Sequence, residues 1–74
     1  MKPFDLELAK QGKPVCTRDG RAVRILCYDF ISVEDTPIIA LVRTSEKQEG
    51  IICYEADGRN FDPGMAELDL VMVP

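Results

Sequence analysis

The sequence predicts a mainly β protein, namely a small antiparallel SH3-like barrel or roll of about five or six strands with a short N-terminal helix. Asp-Gly pairs, which are among the strongest signals for β-hairpins, occur at positions 19–20 and 57–58. Short apolar runs alternate with turn residues over most of the remaining chain. With 74 residues, we expect one domain that spans residues 1–74 and buries only a small core.

The segment PFDLELAKQGKP predicts the N-terminal helix. Asp5 is a suitable N-cap, because its carboxylate can accept hydrogen bonds from the free amides of the first turn. Gly12 suits the left-handed position that follows a helix. A helix of about two turns is not stable alone. We therefore expect its apolar side chains to dock onto the rest of the protein, namely Phe4, Leu8 and Ala9.

The rest of the chain predicts strands, with a polar hairpin loop at TSEKQEG and a short strand after the second Asp-Gly turn. The main strands are expected near residues 15–17, 21–29, 36–43, 50–56 and 68–73. In AVRILCY, both alternating faces are largely apolar. One face can line the barrel, the helix can cover part of the other, and the remainder is a candidate dimer interface. The alternative fold is an open curved meander that dimerisation completes.

Both turns read Asp-Gly-Arg, which is either a turn used twice or a recognition motif used twice. Glycine supplies the positive φ of a hairpin turn, and aspartate tolerates left-handed geometry. This pattern predicts a type I turn with glycine in a G1 bulge, or a two-residue I′ turn. We favour this interpretation over recognition by the arginines. The residues that remain candidate partner contacts are Arg18, Arg21, Arg59 and Tyr54.

The residue types present argue against catalysis and against a bound metal or cofactor. The chain has no histidine, so it lacks Ser-His, Cys-His and His-metal sites. Cys16, Cys27 and Cys53 have no C-x-x-C spacing, which argues against zinc. We expect no enzymatic activity, no cofactor and no metal. The cysteines are interpreted as small buried hydrophobes in strands.

Charge and hydropathy limit the partners and the compartment. A net charge of −4 argues against nucleic acid, because phosphate contacts require a basic face. No apolar run approaches the ~20 residues that span a bilayer, and the N-terminus lacks the apolar core of a signal peptide. An odd number of cysteines prevents complete pairing within one chain. We therefore expect the cytoplasm and no membrane. The expected partner is an unidentified protein, and the uncovered strand faces make a homodimer a candidate.

The preferred hypothesis on function is a non-enzymatic protein-interaction module, with self-association as one form of it, and two alternatives remain. A nucleic-acid-linked regulator would gather four arginines on one side of the barrel, namely Arg18, Arg21, Arg24 and Arg59. A small hydrolase or thiol enzyme is the third hypothesis. An aromatic patch of Tyr28, Tyr54 and Phe61 could stack bases or grip a proline-rich peptide, although core packing is the preferred interpretation.

The chain also resembles a known group of proteins in four segments, which are KPFDLELAKQGKPVCTRDGRAVRILCYD, PIIALV, YEADGRNF and LDLVMV. It is similar to short uncharacterised proteins of Bacteroides-like gut bacteria and of phages that share the PFDL…GKPVCTRDGR N-terminus. The resemblance covers nearly the whole chain and implies a phage or mobile-element setting, but no particular chemistry. The chain departs from that pattern at FISVEDT, so partner contacts carried over to this loop are in doubt.

Overall fold

The structure is a computed structural model, and it describes residues 2–60 and 62–74. The strands are β1 (Lys2–Pro3), β2 (Val15–Thr17), β3 (Val23–Cys27), β4 (Ile38–Ser45), β5 (Gln48–Tyr54) and β6 (Leu70–Met72), with helix α1 at Leu6–Lys10 and a 3-10 segment at Pro63–Leu68. They form two antiparallel three-stranded sheets, ordered β1-β6-β2 and β3-β4-β5. The mainly β class is thus confirmed. Within the described ranges, strand pairing does not close a barrel.

The first Asp-Gly-Arg hairpin joins the two sheets. An isolated bridge pairs Cys16 of β2 with Ala22, which immediately precedes β3. Arg43 of β4 donates its backbone N–H to Ala22 O at 3.0 Å. The first sheet is therefore hydrogen bonded to the second through the Asp-Gly-Arg hairpin rather than along a full strand.

Helix α1 has the predicted caps. Asp5 Oδ1 accepts from Leu8 N at 3.1 Å, and Gly12 has a φ of 91°. Ala9 is buried as expected, but Leu8 is 36% exposed, and Leu6 packs against the core in its place. Leu6 and Ala9 are three residues apart and share one face of the helix, whereas Leu8 lies on another face. No helix in residues 2–60 and 62–74 is long and apolar enough to cross a membrane.

Several element boundaries differ from the predicted ones. The expected polar loop at TSEKQEG is a tight turn, because β4 continues to Ser45 and β5 begins at Gln48. The expected short strand after the second Asp-Gly turn is reduced to one bridge, between Tyr54 and Asn60. The 3-10 segment and β1 were not predicted. Asp62 caps the 3-10 segment by accepting from Gly64 N at 3.0 Å.

The core lies between the inner face of the second sheet and the first sheet. Its buried members are Ile38, Ala40, Val42, Tyr54 and Leu70. Val23 and Ile25 of β3 pack against them from the same face of the second sheet. Helix α1 lies on this side too, since Ala9 shares a small cavity with Val23 and Ile25. The expectation that the helix covers the opposite face was wrong, because its buried side chains extend the core.

Candidate functional site

The two Asp-Gly-Arg segments form the same hairpin turn. Gly20 and Gly58 both have a φ of 89°. Gly20 N donates to Thr17 O at 2.9 Å, and Thr17 N donates to Arg21 O at 3.1 Å. The second turn repeats both bonds, from Gly58 N to Glu55 O at 2.9 Å and from Glu55 N to Arg59 O at 2.8 Å. This pattern is a type I turn followed by a G1 bulge, as predicted.

Each turn contains its own ion pair. Arg21 Nε lies 2.9 Å from Asp19 Oδ2, and Arg59 Nε lies 2.9 Å from Asp57 Oδ2. Arg21 also donates to the backbone oxygen of Arg43 at 3.2 Å, so this guanidinium ties the turn to the end of β4. The two arginines therefore have structural partners within the chain. Exposed pairs of this kind contribute little to stability.

The carboxylates of both turns are stabilised in the ionised form. A hydrogen bond from the Thr17 hydroxyl, opposed by partial burial and assisted by Arg21, lowers the pKa of Asp19. Burial raises the pKa of Asp57, but hydrogen bonds from the backbone and side chain of Arg59 outweigh it, so the net pKa is lowered. Both carboxylates are therefore turn-forming groups and poor proton donors near neutral pH.

The two turns converge on the start of β6. Arg18 N donates to Asp69 O at 2.9 Å, and Leu70 N donates to Gly58 O at 2.8 Å. The Asp69 carboxylate accepts from both the backbone and the side chain of Asn60, at 3.0 and 2.7 Å. The two turns are thus linked to one another through β6.

A groove of about 480 Å³ lies where the turns meet. Its lining combines apolar and charged side chains, and it includes two of the predicted contact residues, Arg18 and Arg59. Asp57 and Asp69 also line it, so the groove has no net charge. Arg21 does not line it. The structure therefore brings two of the three predicted arginines together, in a neutral groove rather than on a basic surface.

Tyr54, the fourth predicted contact residue, is completely buried. Its hydroxyl donates to Leu68 O at 2.8 Å. Burial, with the charges of Asp69 and Asp19, raises the pKa of this phenol. Tyr54 therefore belongs to the core, where it holds the 3-10 segment. Of the expected aromatic patch, Tyr28 is half-buried against the core, and Phe61 lies outside the described residues.

The second sheet also has an apolar face that points away from the core. Side chains alternate along a strand, so the neighbours of Ile38, Ala40 and Val42 point to the other side. Cross-strand partners on that side are Cys27, Ile39 and Cys53 in one row and Arg24, Leu41 and Ile51 in the next. We call the apolar part of this surface the outer face, which consists of Leu26, Cys27, Ile39, Leu41, Ile51 and Cys53.

The outer face is open to solvent. Leu26 is 57% exposed and Ile51 is 70% exposed, while the other four members are half-buried. A register shift between Ile25 and Cys27 forms a β-bulge, which places both Leu26 and Cys27 opposite Ile39. Within the part of the chain that the structure describes, these side chains lack the cover that their composition requires.

An ion pair borders the outer face at one end. Arg24 of β3 reaches across β4 to Glu49 of β5, with Nε–Oε2 and Nη2–Oε1 distances of 3.0 and 2.7 Å. The hydrogen bond from Arg24 lowers the pKa of Glu49. The polar end of the outer face therefore has Arg24 on one edge strand, Glu49 on the other, and Arg43 of β4 opposite Glu49 on the central strand.

The sequence predicted the outer face only in part. The two-sided apolar character of AVRILCY and IIALV predicted an uncovered surface. Sequence reasoning did not select Leu26 and Ile51 as its exposed members, because the bulge and the strand register are properties of the fold. It also missed a second exposed apolar site in the loop before β4, where Ile31 and Val33 are 93% and 98% exposed.

The cysteines lie in both sheets and are free thiols. Cys27 and Cys53 flank Ile39 on the outer face, and Cys16 pairs with Val71 in the first sheet. All three lie in strands, as predicted, but they are half-buried rather than buried. Among the described residues, no group of Cys, Asp and Glu side chains is arranged to hold a metal ion.

Comparison with protein-family models places the chain beside a phage protein. The family model of Haemophilus phage HP1 protein YO09 matches residues 1–72. No curated protein and no solved structure matches the chain. The match supports the phage association that the sequence resemblance implied, whereas the shared N-terminal motif and the gut-bacterial members stay predictions.

Proposed function

The chain belongs to the family of Haemophilus phage HP1 protein YO09, and we propose that it is a non-enzymatic protein-interaction module. Its contact surface in this proposal is the outer face. The observation that carries it is the exposure of Leu26 and Ile51 beside four further apolar side chains on one flat sheet surface. Burying that surface against another protein would remove apolar area from water, which stabilises a complex by about 25 cal/mol per Å².

The residue chemistry supports binding rather than catalysis. The sequence contains no histidine, and the lowered pKa values of Asp19, Glu49 and Asp57 come from ion pairs and turn hydrogen bonds. A general acid at neutral pH needs a raised pKa instead. The surface carboxylates therefore stabilise local structure in this proposal.

Nucleic-acid binding has less support than protein binding. Of the four arginines in that hypothesis, Arg21, Arg24 and Arg59 are each paired with a carboxylate. Arg18 shares its groove with two aspartates. Phosphate contacts would have to break these pairs, in a protein whose net charge is −4.

We also propose a more specific fold and a compartment for this chain. We infer a partly open SH3-like roll, because β6 returns to pair with β2 and the first hairpin links the two sheets. Residues 1–74 form one unit in this view. Three free thiols favour a reducing compartment such as the cytoplasm.

Affinity capture from phage-infected host cells tests the proposed function. The bait is the wild-type chain, the variant Leu26→Lys/Ile51→Lys, or the control Ile31→Lys/Val33→Lys. Both variants replace two exposed apolar side chains, but only the first alters the outer face. We expect captured proteins, the chain itself included, to be lost with the first variant and kept with the control. Identical capture by all three baits would contradict the proposal.

A further inference from the structure

We propose that the protein that covers the outer face is a second copy of this chain, related by a two-fold axis that runs parallel to β4. This inference rests on the proposed function and names its partner. In such a dimer the two outer faces pack at the usual sheet separation of about 10 Å, with nearly aligned strands. The axis lies over the central strand, so β3 of each copy lies over β5 of the other.

Charge complementarity is the first argument for a second copy. The polar end of the outer face carries Arg24 on β3 and Glu49 on β5, on opposite edges of the sheet. Because the proposed axis places β3 over β5, Arg24 of each copy faces Glu49 of the other at the same end. Each carboxylate can then accept from two guanidinium groups, while Arg43 of β4, which lies opposite Glu49 on the same face, meets its own copy near the axis between the two carboxylates.

The other face-to-face arrangement lacks this complementarity. A two-fold axis perpendicular to the strands would place β3 over β3 and would reverse the strand direction. The polar end of one copy would then cover the apolar rows of the other. Arg24 and Glu49 would lose water over Ile39 without a new partner, which is costly for charged groups. The charge pattern therefore selects the axis parallel to β4.

Apolar composition is the second argument. An interface between identical faces requires a patch that is complementary to itself. The outer face has six apolar or thiol side chains and its charges only at one end, so it meets that condition without a further partner. Leu26 and Ile51 lie on opposite edge strands, and the proposed axis places Leu26 of one copy near Ile51 of the other.

The size of the face predicts a weak dimer. Three strands about 4.8 Å apart and the length of β4 give a footprint of roughly 400 Å². A standard stable interface covers about 800 Å² on each partner. The area is thus about half of what a stable dimer needs, and association should depend on protein concentration.

The positions of the native cysteines distinguish the proposed axis from the other arrangements. In the proposed dimer, the row of Cys27, Ile39 and Cys53 lies over its own copy with the two ends exchanged. Cys27 of one copy therefore lies near Cys53 of the other, and neither thiol lies near its own equivalent. With the perpendicular axis, or with pairing of two β5 edges, equivalent cysteines would instead be closer to one another than Cys27 of one copy is to Cys53 of the other.

Two single-cysteine variants turn this geometry into an experiment. The variant Cys16→Ser/Cys53→Ser keeps only Cys27, and the variant Cys16→Ser/Cys27→Ser keeps only Cys53. Each is treated with a short bismaleimide alone and as an equal mixture, at concentrations up to the millimolar range. We expect the mixture to give several-fold more cross-linked dimer than either variant alone. Adding Ile51→Lys to both variants should abolish this excess, and adding Val33→Lys should not.

Sedimentation equilibrium of the wild-type chain measures association without depending on thiol reactivity. Reversible dimerisation that Ile51→Lys weakens at least tenfold supports the proposal. A monomer at all concentrations, or cross-linking as strong in each variant alone as in the mixture, overturns it. If the chain is monomeric while Leu26→Lys/Ile51→Lys still loses captured host or phage proteins, the second-copy inference fails and the proposed function stands.

Discussion

At the scale of single residues, the two glycines of the Asp-Gly-Arg turns share a backbone conformation but not an environment. An added Cβ at Gly20 would meet no atom within 4 Å. At Gly58 it would lie 2.7 Å from the Cβ and Cγ atoms of Phe4. Only the second glycine is therefore required both by its φ and by close packing, since Phe4 also packs against the core.

We expect Gly20→Ala to destabilise the fold by about 1–2 kcal/mol, because a side chain resists positive φ. Gly58→Ala should cost about 1–3 kcal/mol more, because Phe4 must move out of a packed position. Urea denaturation of the two variants measures the difference in the free energy of unfolding. Equal losses would show that Phe4 does not pack on Gly58.

The lowered pKa of Asp19 predicts a contribution to acid sensitivity. A carboxylate whose pKa is lower in the folded state stabilises the fold above its unfolded pKa, about 3.9, and loses that contribution as the pH falls through the folded value. We expect Asp19→Asn to be less stable than wild type at neutral pH and to lose less stability on acidification below about pH 4.

Thr17→Val tests the cause of that pKa shift. Thr17 is completely buried, and its hydroxyl also accepts from Arg21 N at 2.8 Å. The variant keeps the carboxylate of Asp19 but removes its main donor, so the acid-induced loss of stability should decrease partway towards that of Asp19→Asn. Chemical unfolding at a series of pH values measures both effects. This account would be refuted if the free energy of unfolding of both variants fell with decreasing pH as steeply as that of the wild type.

At the scale of elements, Tyr54 links β5 to the 3-10 segment. We expect Tyr54→Phe to destabilise the fold by about 1–3 kcal/mol, because the variant lacks the buried hydroxyl and leaves Leu68 O without its donor. Tyr28→Phe is the matched control, since Tyr28 is half-buried, and it should change stability by less than about 0.5 kcal/mol. Thermal unfolding of both variants checks the difference, which should vanish if the hydroxyl bond is unimportant.

Elements with local signals could be predicted from the sequence, and elements that depend on distant contacts could not. Helix α1 and both hairpin turns were foreseen, because Asp5, Gly12 and the Asp-Gly pairs act on neighbouring backbone. Strand β1 has only two residues and exists through its pairing with β6. The outer face was foreseen as surplus apolar surface, but which sheet face α1 covers depends on tertiary packing.

At the scale of the whole molecule, the polar end of the outer face should affect association more than stability. Arg24 and Glu49 form a partly exposed pair, so Arg24→Glu should change the free energy of unfolding little. In the proposed dimer the same change brings like charges together, and we expect dimerisation to weaken at least tenfold. The double variant Arg24→Glu/Glu49→Arg should restore it, as sedimentation would show, whereas additive losses would contradict the pairing.

The central claim is that the outer face is where this protein meets a second copy of itself. Backbone amide chemical shifts, recorded by NMR from dilute to concentrated solution, test it most directly. The account predicts concentration-dependent shifts in the outer-face segments of β3, β4 and β5, around Leu26, Ile39, Leu41 and Ile51. Shifts that do not change with concentration, or that are confined to the Arg18 and Arg59 groove, would contradict it.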